Sequence, residues 1–371
     1  GQGAFHLGCH CGDAAQLLPF SFSLRRTGHR GIAPAGARYD APMSFFAILF
    51  ALLLEQVRPL PRGNPVHAAL RSWARWCNRN FDAGRANHGW IVWSLAVGLP
   101  SLLAFAIHVL LSDLLGWPFA ALWSAALLYV TLGFRQFSHH FTDIRDALDA
   151  GDEDRARELL ARWRQADIRE LPRGELVRCV IEYSVLQAHR HVFGVLAWYS
   201  VLAAFGLGPA GAVLYRSSEF VSRYWRYQGT VAQQPVSEAV QAAAAEAWRV
   251  IDWFPARITA LGFAVVGSFE DAIDGWRNQV QRFPGDNDGV ILAATAGAIN
   301  VRLVDGVAKV PATRAGLGQS DLDAGETADF ISNQGREPEP AFLAQVVGLV
   351  WRSVVMWLVL LALLTLARLL G

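Results

Sequence analysis

Residues Glu182–Arg226 read EYSVLQAHRHVFGVLAWYSVLAAFGLGPAGAVLYRSSEFVSRYWR, and this stretch decides the fold. Its centre, Val192 to Leu214, carries no charge. A run of roughly 20 apolar residues is long enough to cross a bilayer. Glu182, His189, Arg190 and His191 stand before the run; Tyr215, Arg216, Glu219, Arg223, Tyr224, Trp225 and Arg226 stand after it. In a helix, Arg216, Glu219, Arg223 and Arg226 fall at i, i+3, i+7 and i+10, on one face. Tyr215, Ser218, Ser222 and Trp225 make the other face. An apolar segment opening into an arginine-rich stripe points to a site at a membrane surface. The plainer alternative is a transmembrane helix with interfacial Trp and Tyr and snorkelling Arg. Gly206-Leu-Gly208-Pro209 interrupts the run near its middle. That permits either one broken crossing or a re-entrant hairpin.

Composition agrees with a membrane setting. The 371 residues are 53% hydrophobic and only 18% charged, whereas a soluble domain has about 25% charged residues. The net charge of +1 sets up no basic field for nucleic acid. Lys309 is the single lysine, and its surroundings, Gly306-Val-Ala-Lys309-Val, do not fit a phosphate-binding GxxxxGK[ST] loop. Any ATP site is therefore expected to rest on arginine. Cys9, Cys11, Cys77 and Cys179 have neither zinc nor redox spacing, so no disulfide framework and no cysteine metal site is expected.

Residues 1–42 show no sustained period and read as an upstream or disordered extension, with Met43 opening the apolar helix MSFFAILFALLLEQ. Ser44 to Leu54 is a short or tilted span. Trp90 to Ser112 is a clear span with a kink expected at Pro100, Asp113 to Gly116 an external turn, and Trp117 to Phe134 the returning span. Arg58 to Arg85 and residues 135–190 are arginine-rich and expected to be cytoplasmic. Within the second, TDIRDALDAGDEDRARELLARWRQAD reads as a helical hairpin, with Gly151 as C-terminal cap and Asp152 as the next N-cap. Val231 to Arg249 reads as an Ala-rich helix that breaks at Ile251-Asp-Trp-Phe-Pro-Ala-Arg257, because Pro255 disfavours helix at Phe254. FPGDNDG reads as a turn and LAATAGAIN as a run suited to close helix contact. Residues 306–340 read as a polar loop, and Phe342 to Leu370 as the last span.

Five motifs in order then give a resemblance. They are Glu55 with Asn64-Pro65-Val66; Ala147-Leu148, Gly151-Asp152 and Ala156-Arg157; Gly208-Pro-Ala-Gly-Ala-Val-Leu-Tyr215-Arg216; Asp252-Trp-Phe-Pro-Ala-Arg257; and Ala293-Ala294 to Ala298 with Val301-Arg302-Leu303. From Met43 to the end the chain resembles the CobD/CbiB family, the adenosylcobinamide-phosphate synthase-like membrane proteins, and also its AmpE-like branch. The resemblance departs at four places. Ala166-Asp167-Ile168 stands for the synthases' Arg-Asp-Thr, and Leu186-Gln187-Ala188-His189-Arg190 for Glu-Asn-x-x-Asp. Glu219-Phe-Val-Ser222 stands for Asn-Thr-Leu-Asp, and Gly285-Asp-Asn287-Asp-Gly289 for Ser-Pro-Asn-Ala-Gly.

The resemblance implies an all-α, polytopic protein of the bacterial inner membrane, with four or five crossings and a cytoplasmic helical portion. It implies a domain over 43–371 and ATP-dependent ligation of an aminopropanol-type amine to adenosylcobyric acid. In that reaction Glu182, Glu219 and Asp252 are the candidate catalytic carboxylates, and Asp152 and Asp252 the candidate Mg²⁺ ligands. Arg157, Arg216, Arg223 and Arg257 are the candidate ligand-binding residues, taking a corrinoid or other anionic small molecule. Mg²⁺ needs oxygen ligands, and the departures replace acidic positions by basic or neutral ones. The other reading is therefore an AmpE-like membrane sensor that keeps the pocket without the chemistry. In either case Arg216, Glu219, Arg223, Asp252 and Arg257 are expected to converge on one cavity.

Overall fold

The structure is a computed structural model that describes residues 40–57, 65–164, 172–230, 232, 235–282, 285–303 and 335–370. The expected extension over 1–42 falls outside them apart from residues 40–42, as do Lys309 and most of the loop 306–340. The described residues are helical, with one isolated parallel bridge between Val301 and Arg336 and no other strand.

Helix α1 (Asp40–Val57) packs Ala47, Ile48 and Ala51 into the core. Amphipathic α2 (Pro65–Phe81) leads to α3 (Ala86–Trp93), a π turn (Ser94–Gly98) and α4 (Leu99–Leu115). The last three form one helix, about 45 Å long at 1.5 Å per residue. The π turn ends two residues before Pro100, the position where the sequence predicts a kink. Asp113 lies inside α4, and Gly116 alone, at φ +91°, makes the turn to α5 (Trp117–Thr131). The connection is thus one glycine rather than the four residues read from the sequence.

The hairpin of α6 (Phe134–Asp149) and α7 (Glu153–Arg164) has the expected caps. Gly151 takes φ +76°, and Asp152 Oδ1 accepts from Arg155 N at 3.0 Å. Leu160 is fully buried with Ile144 and Leu148. Next, α8 (Arg173–Ala188), a π turn (His189–Phe193) and α9 (Gly194–Ala204) run on as one helix. Gly206 and Gly208, at φ +76° and +55°, then reverse the chain into α10 (Ala210–Thr230). A methyl at Gly194 would fall on the Tyr215 ring, and one at Gly211 on the Trp198 carbonyl. The two helices are therefore antiparallel and in close backbone contact. The central stretch is a hairpin, not a single crossing.

The expected break at Pro255 does not occur. Helix α11 (Glu238–Val266) runs through it, starting from Ser237, whose side chain caps Val240 N. A proline has no N–H for the carbonyl four residues back, here Ile251 O. Trp198 Nε1 donates to that oxygen at 3.0 Å, so the freed acceptor is satisfied from α9. The chain closes with α12 (Phe269–Arg282), α13 (Asn287–Ile299) and α14 (Ala341–Leu370). Small residues join α12 to α13, as read: methyls at Gly275 and Gly297 would meet the Ala293 and Asp271 carbonyls. Among the described residues two helices are long and apolar enough to cross a membrane, Ala86–Leu115 and Ala341–Ala367. Only 22% and 28% of their apolar windows are buried, unlike the core helix of a soluble protein.

Candidate functional site

The polar stripe of α10 folds as its spacing requires. Arg216 Nη1 donates to Glu219 Oε2 at 2.7 Å, and Arg223 Nη1 to Glu219 Oε1 at 2.8 Å. Glu219 is buried. Burial alone would push its carboxyl up; the charges of Arg216 and Arg223 override this and hold it well below the usual carboxylate range. Glu219 is thus a fixed anion clamped between two cations, and a poor proton acceptor. His191, from the π turn, faces the same cluster. Burial first, and then the Arg216 charge, holds its ring well below the ordinary histidine value, so it is neutral. The end of α5 closes against it: a methyl at Gly133 would lie 2.6 Å from His191 Nδ1. His67, in the first turn of α2, is lowered too, by burial and then by Arg216 and Arg71.

One turn deeper lies a second, fully buried network. Tyr215 Oη donates to Asp252 Oδ1 at 2.8 Å, and His189 Nε2 lies 2.9 Å from the same oxygen. His189 Nδ1 is 2.9 Å from Thr259 Oγ1. Tyr215, Asp252 and His189 show no exposure. When Nε2 donates to Asp252, Nδ1 is left to accept the threonine hydroxyl, which fixes one tautomer. His189, Arg190 and His191 all belong to the π turn, and each reaches one of these clusters.

Arg190 links the site to α13, its Nη2 donating to Asp288 Oδ2 at 2.5 Å. Four buried atoms in these clusters have no hydrogen-bond partner: Arg190 Nε, His191 Nδ1, Asp252 Oδ2 and Asp288 Oδ1. Leaving a buried polar atom unpaired costs about 1–3 kcal/mol. A site with two free carboxylate oxygens, a free guanidinium edge and a neutral imidazole is equipped to hold a polar, charged ligand.

The other sequence candidates fall elsewhere or are otherwise engaged. Arg257 does not join Arg216 and Arg223. Its guanidinium donates to Asn287 Oδ1 at 2.8 Å and to Trp253 O, and lies 4.3 Å from the Trp253 ring centre. Arg157 pairs within α7, with Glu153 at 3.0 Å and Asp154 at 2.8 Å. Glu182 is buried beside Arg178, at 3.6 Å. Asp152 is exposed and caps α7. Among the described residues no group of three His, Cys, Asp or Glu side chains is placed to hold a metal ion. Cys77 and Cys179 are both buried, and Cys9 and Cys11 lie outside the described residues. The sequence reading passed over His189 and Thr259 as partners of Asp252, and Asp288 as partner of Arg190. From the sequence, Asp288 falls in the turn FPGDNDG, whereas in the structure it stands in the first turn of α13. Its one visible signal was a new acid standing in the same departing motifs as a new arginine at 190.

The family model described as "CobD/Cbib protein" matches residues 46–317. A cobalamin biosynthesis protein CobD of Stutzerimonas stutzeri is 29% identical over 322 residues, 85% of this chain and 96% of that protein. The protein of the same name from Chromobacterium violaceum is 33% identical over 181 residues, 49% of this chain and 55% of the relative. That of Mycobacterium tuberculosis H37Rv is 28% identical over 269 residues, 69% and 79% of the two chains. No solved structure matches. The AmpE-like alternative gains no better support from these similarities.

Proposed function

This chain belongs to the CobD/CbiB family, and from that premise we propose that it acts in cobalamin biosynthesis as a multi-pass inner-membrane protein. In this reading the cluster of Arg190, Arg216, Arg223 and Asp252 receives an anionic substrate. The observation that carries it is the unpartnered buried Nε of Arg190, a free donor beside the arginines of α10; the unpartnered Asp252 and Asp288 oxygens suit donor groups on the same substrate. A free carboxylate of the adenosylcobyric acid type fits a guanidinium fork.

For the amide ligation that the family resemblance implies, Asp252 is the best-placed proton acceptor, with His189 and Tyr215 as positioning residues. Glu219 orients the arginines. ATP and Mg²⁺ belong to the same reading: Arg216 and Arg223 are the groups suited to phosphate oxygens. No metal-holding set of protein side chains supports a resident ion among the described residues.

The topology proposed is four crossings, α1, α3–α4, α5 and α14, with the α9–α10 hairpin entering from the polar side. Outward apolar faces support it: Phe46, Leu102, Leu110, Leu122, Val359 and Leu363 are all exposed. Gly208 meets the His108 ring within α4, while His191 meets Gly133 at the far end of α5. The hairpin turn therefore points into the apolar layer and the polar cluster sits at one boundary of it. By the excess of arginine in α2 and α7 that boundary is the cytoplasmic one.

Equilibrium dialysis of adenosylcobyric acid against the purified chain in detergent tests the site. Wild-type protein should retain the corrinoid. Arg216→Ala should weaken binding about tenfold or more, the size of one charge-assisted hydrogen bond. No retention by the wild type would overturn the proposal.

A further inference from the structure

Beside the clamp on α10 stands a polar atom that the clamp does not use. His191 Nδ1 is buried and has no hydrogen-bond partner. Arg216 and Arg223 each give one Nη1 to Glu219, at 2.7 and 2.8 Å. A guanidinium carries five N–H donors, so both arginines keep donors for a further oxygen. Two cations on one carboxylate also leave the clamp with one surplus positive charge.

The charged groups that face the ring are Arg216, Glu219 and Arg223 from α10 and Arg190 from its own turn. Arg190 is already paired with Asp288. The end of α5 brings the Gly133 backbone against the same ring, so close that a methyl there would lie 2.6 Å from Nδ1. The ring is thus wedged between a backbone and the arginines. An anion held by the spare donors of Arg216 and Arg223 stands beside it.

The surplus charge acts differently on the empty and the loaded site. In the empty site, burial and the Arg216 charge keep the ring neutral. A bound carboxylate or phosphate cancels the surplus and brings acceptor oxygens to the imidazole. An acceptor is repelled by a bare ring nitrogen and bound by an N–H. A protonated imidazole has an N–H on both nitrogens, so Nδ1 becomes a donor whichever nitrogen held the proton before.

We propose that His191 is a ligand-contacting residue of this site and that the anion binds together with one proton, Nδ1–H donating to an oxygen of the ligand. The proton comes from solvent, and no bond in the ligand is made or broken. The proposal rests on the reading of the cluster as an anion site. His67 supplies the contrast: it faces Arg216 from α2 as well, but its ring has no enclosed nitrogen without a partner.

Linkage fixes the sign. Affinity rises as pH falls through the value that His191 takes in the complex, and levels off below its lower value in the free protein. One proton limits the change to about tenfold per pH unit.

Adenosylcobyric acid is the probe, because a carboxylate stays ionised at about pH 6.5, the ordinary histidine value. At that pH it is titrated calorimetrically into the full-length protein in detergent, in two buffers of different ionisation enthalpy. The difference in heat counts the protons taken up. Wild type should take up roughly half a proton or more per corrinoid. His191→Gln, which keeps an amide in the same space, should take up none and bind about tenfold more weakly, the size of one charge-assisted hydrogen bond. His67→Gln should take up as many protons as wild type. Binding by wild type with equal heats in both buffers, or uptake that persists in His191→Gln, overturns the proposal and leaves the anion site standing. No binding by wild type overturns the site reading, and the proposal with it.

Discussion

Replacing Tyr215 by Phe removes one oxygen and changes nothing else in the buried network. The lost bond runs at 2.8 Å to Asp252 Oδ1, between two side chains with no exposure. A hydrogen bond to a charged partner contributes about 1.5–3 kcal/mol. The phenyl ring fills the same space, so no cavity term adds to this. Recovery is blocked from both sides. Gly194 presses against the ring, so it cannot shift, and Asp252 Oδ2 is already unpartnered. Tyr215→Phe is therefore expected to cost about 2 kcal/mol of stability. In an Asp252→Asn background the bond becomes a neutral one, worth about 1 kcal/mol, which leaves a coupling energy near 1 kcal/mol. Denaturant unfolding of the four proteins in detergent micelles, followed by tryptophan fluorescence, measures both quantities. If Tyr215→Phe lies within about 0.5 kcal/mol of wild type, the size of an ordinary surface substitution, the charged network is not what holds α10 to α11.

Trp198→Phe should destabilise by about 1 kcal/mol, by orphaning Ile251 O, and Pro255→Ala should restore much of that loss by supplying the missing N–H; equal effects of Trp198→Phe with and without the proline would show that the indole is only packing. The Glu219 pairing contributes stability that is complete above the ordinary carboxylate value of 4.5 and is lost as pH falls from there toward the lower value of the folded state. The gap in melting temperature between wild type and Glu219→Gln should accordingly narrow below that pH, and a gap that widens would contradict the assignment. Reporter fusions at Asp82 and Asp149 should both give the cytoplasmic signal, because one pair of antiparallel spans, α3–α4 and α5, separates them; opposite signals would sink the topology.

Local chemistry was the legible part of this fold. Gly151 and Asp152 announce the caps of α6 and α7, and the i, i+3, i+7 spacing of Arg216, Glu219 and Arg223 announces a shared face, while Gly206 and Gly208 mark the interruption of the central stretch but leave a broken crossing and a hairpin both open. Each of these is decided within about ten residues. What the sequence could not give depends on partners far along the chain. The proline rule fails at Pro255 because the donor that satisfies Ile251 O lies 53 positions away, in α9. Asp252 was singled out, but His189 reaches it across 63 positions, and Arg190 finds Asp288 across 98. Arg257 shows the converse: its motif neighbour is Asp252, yet its guanidinium hydrogen-bonds to Asn287. Proximity in sequence suggests one cavity of five residues, where packing makes a clamp, a buried network and a half-buried arginine bonded to α13.

The central claim is that the Arg216–Glu219–Arg223 clamp and the Asp252 network form a working site in cobalamin biosynthesis. Complementation of a bacterium lacking its own CobD, with growth made dependent on cobalamin synthesis, tests it most directly. The wild-type chain should restore growth, while Arg216→Ala and Asp252→Asn should fail to restore it at protein levels, measured in the same membranes, equal to wild type. Full growth with both variants, or no growth with the wild type at normal membrane levels, would contradict the claim.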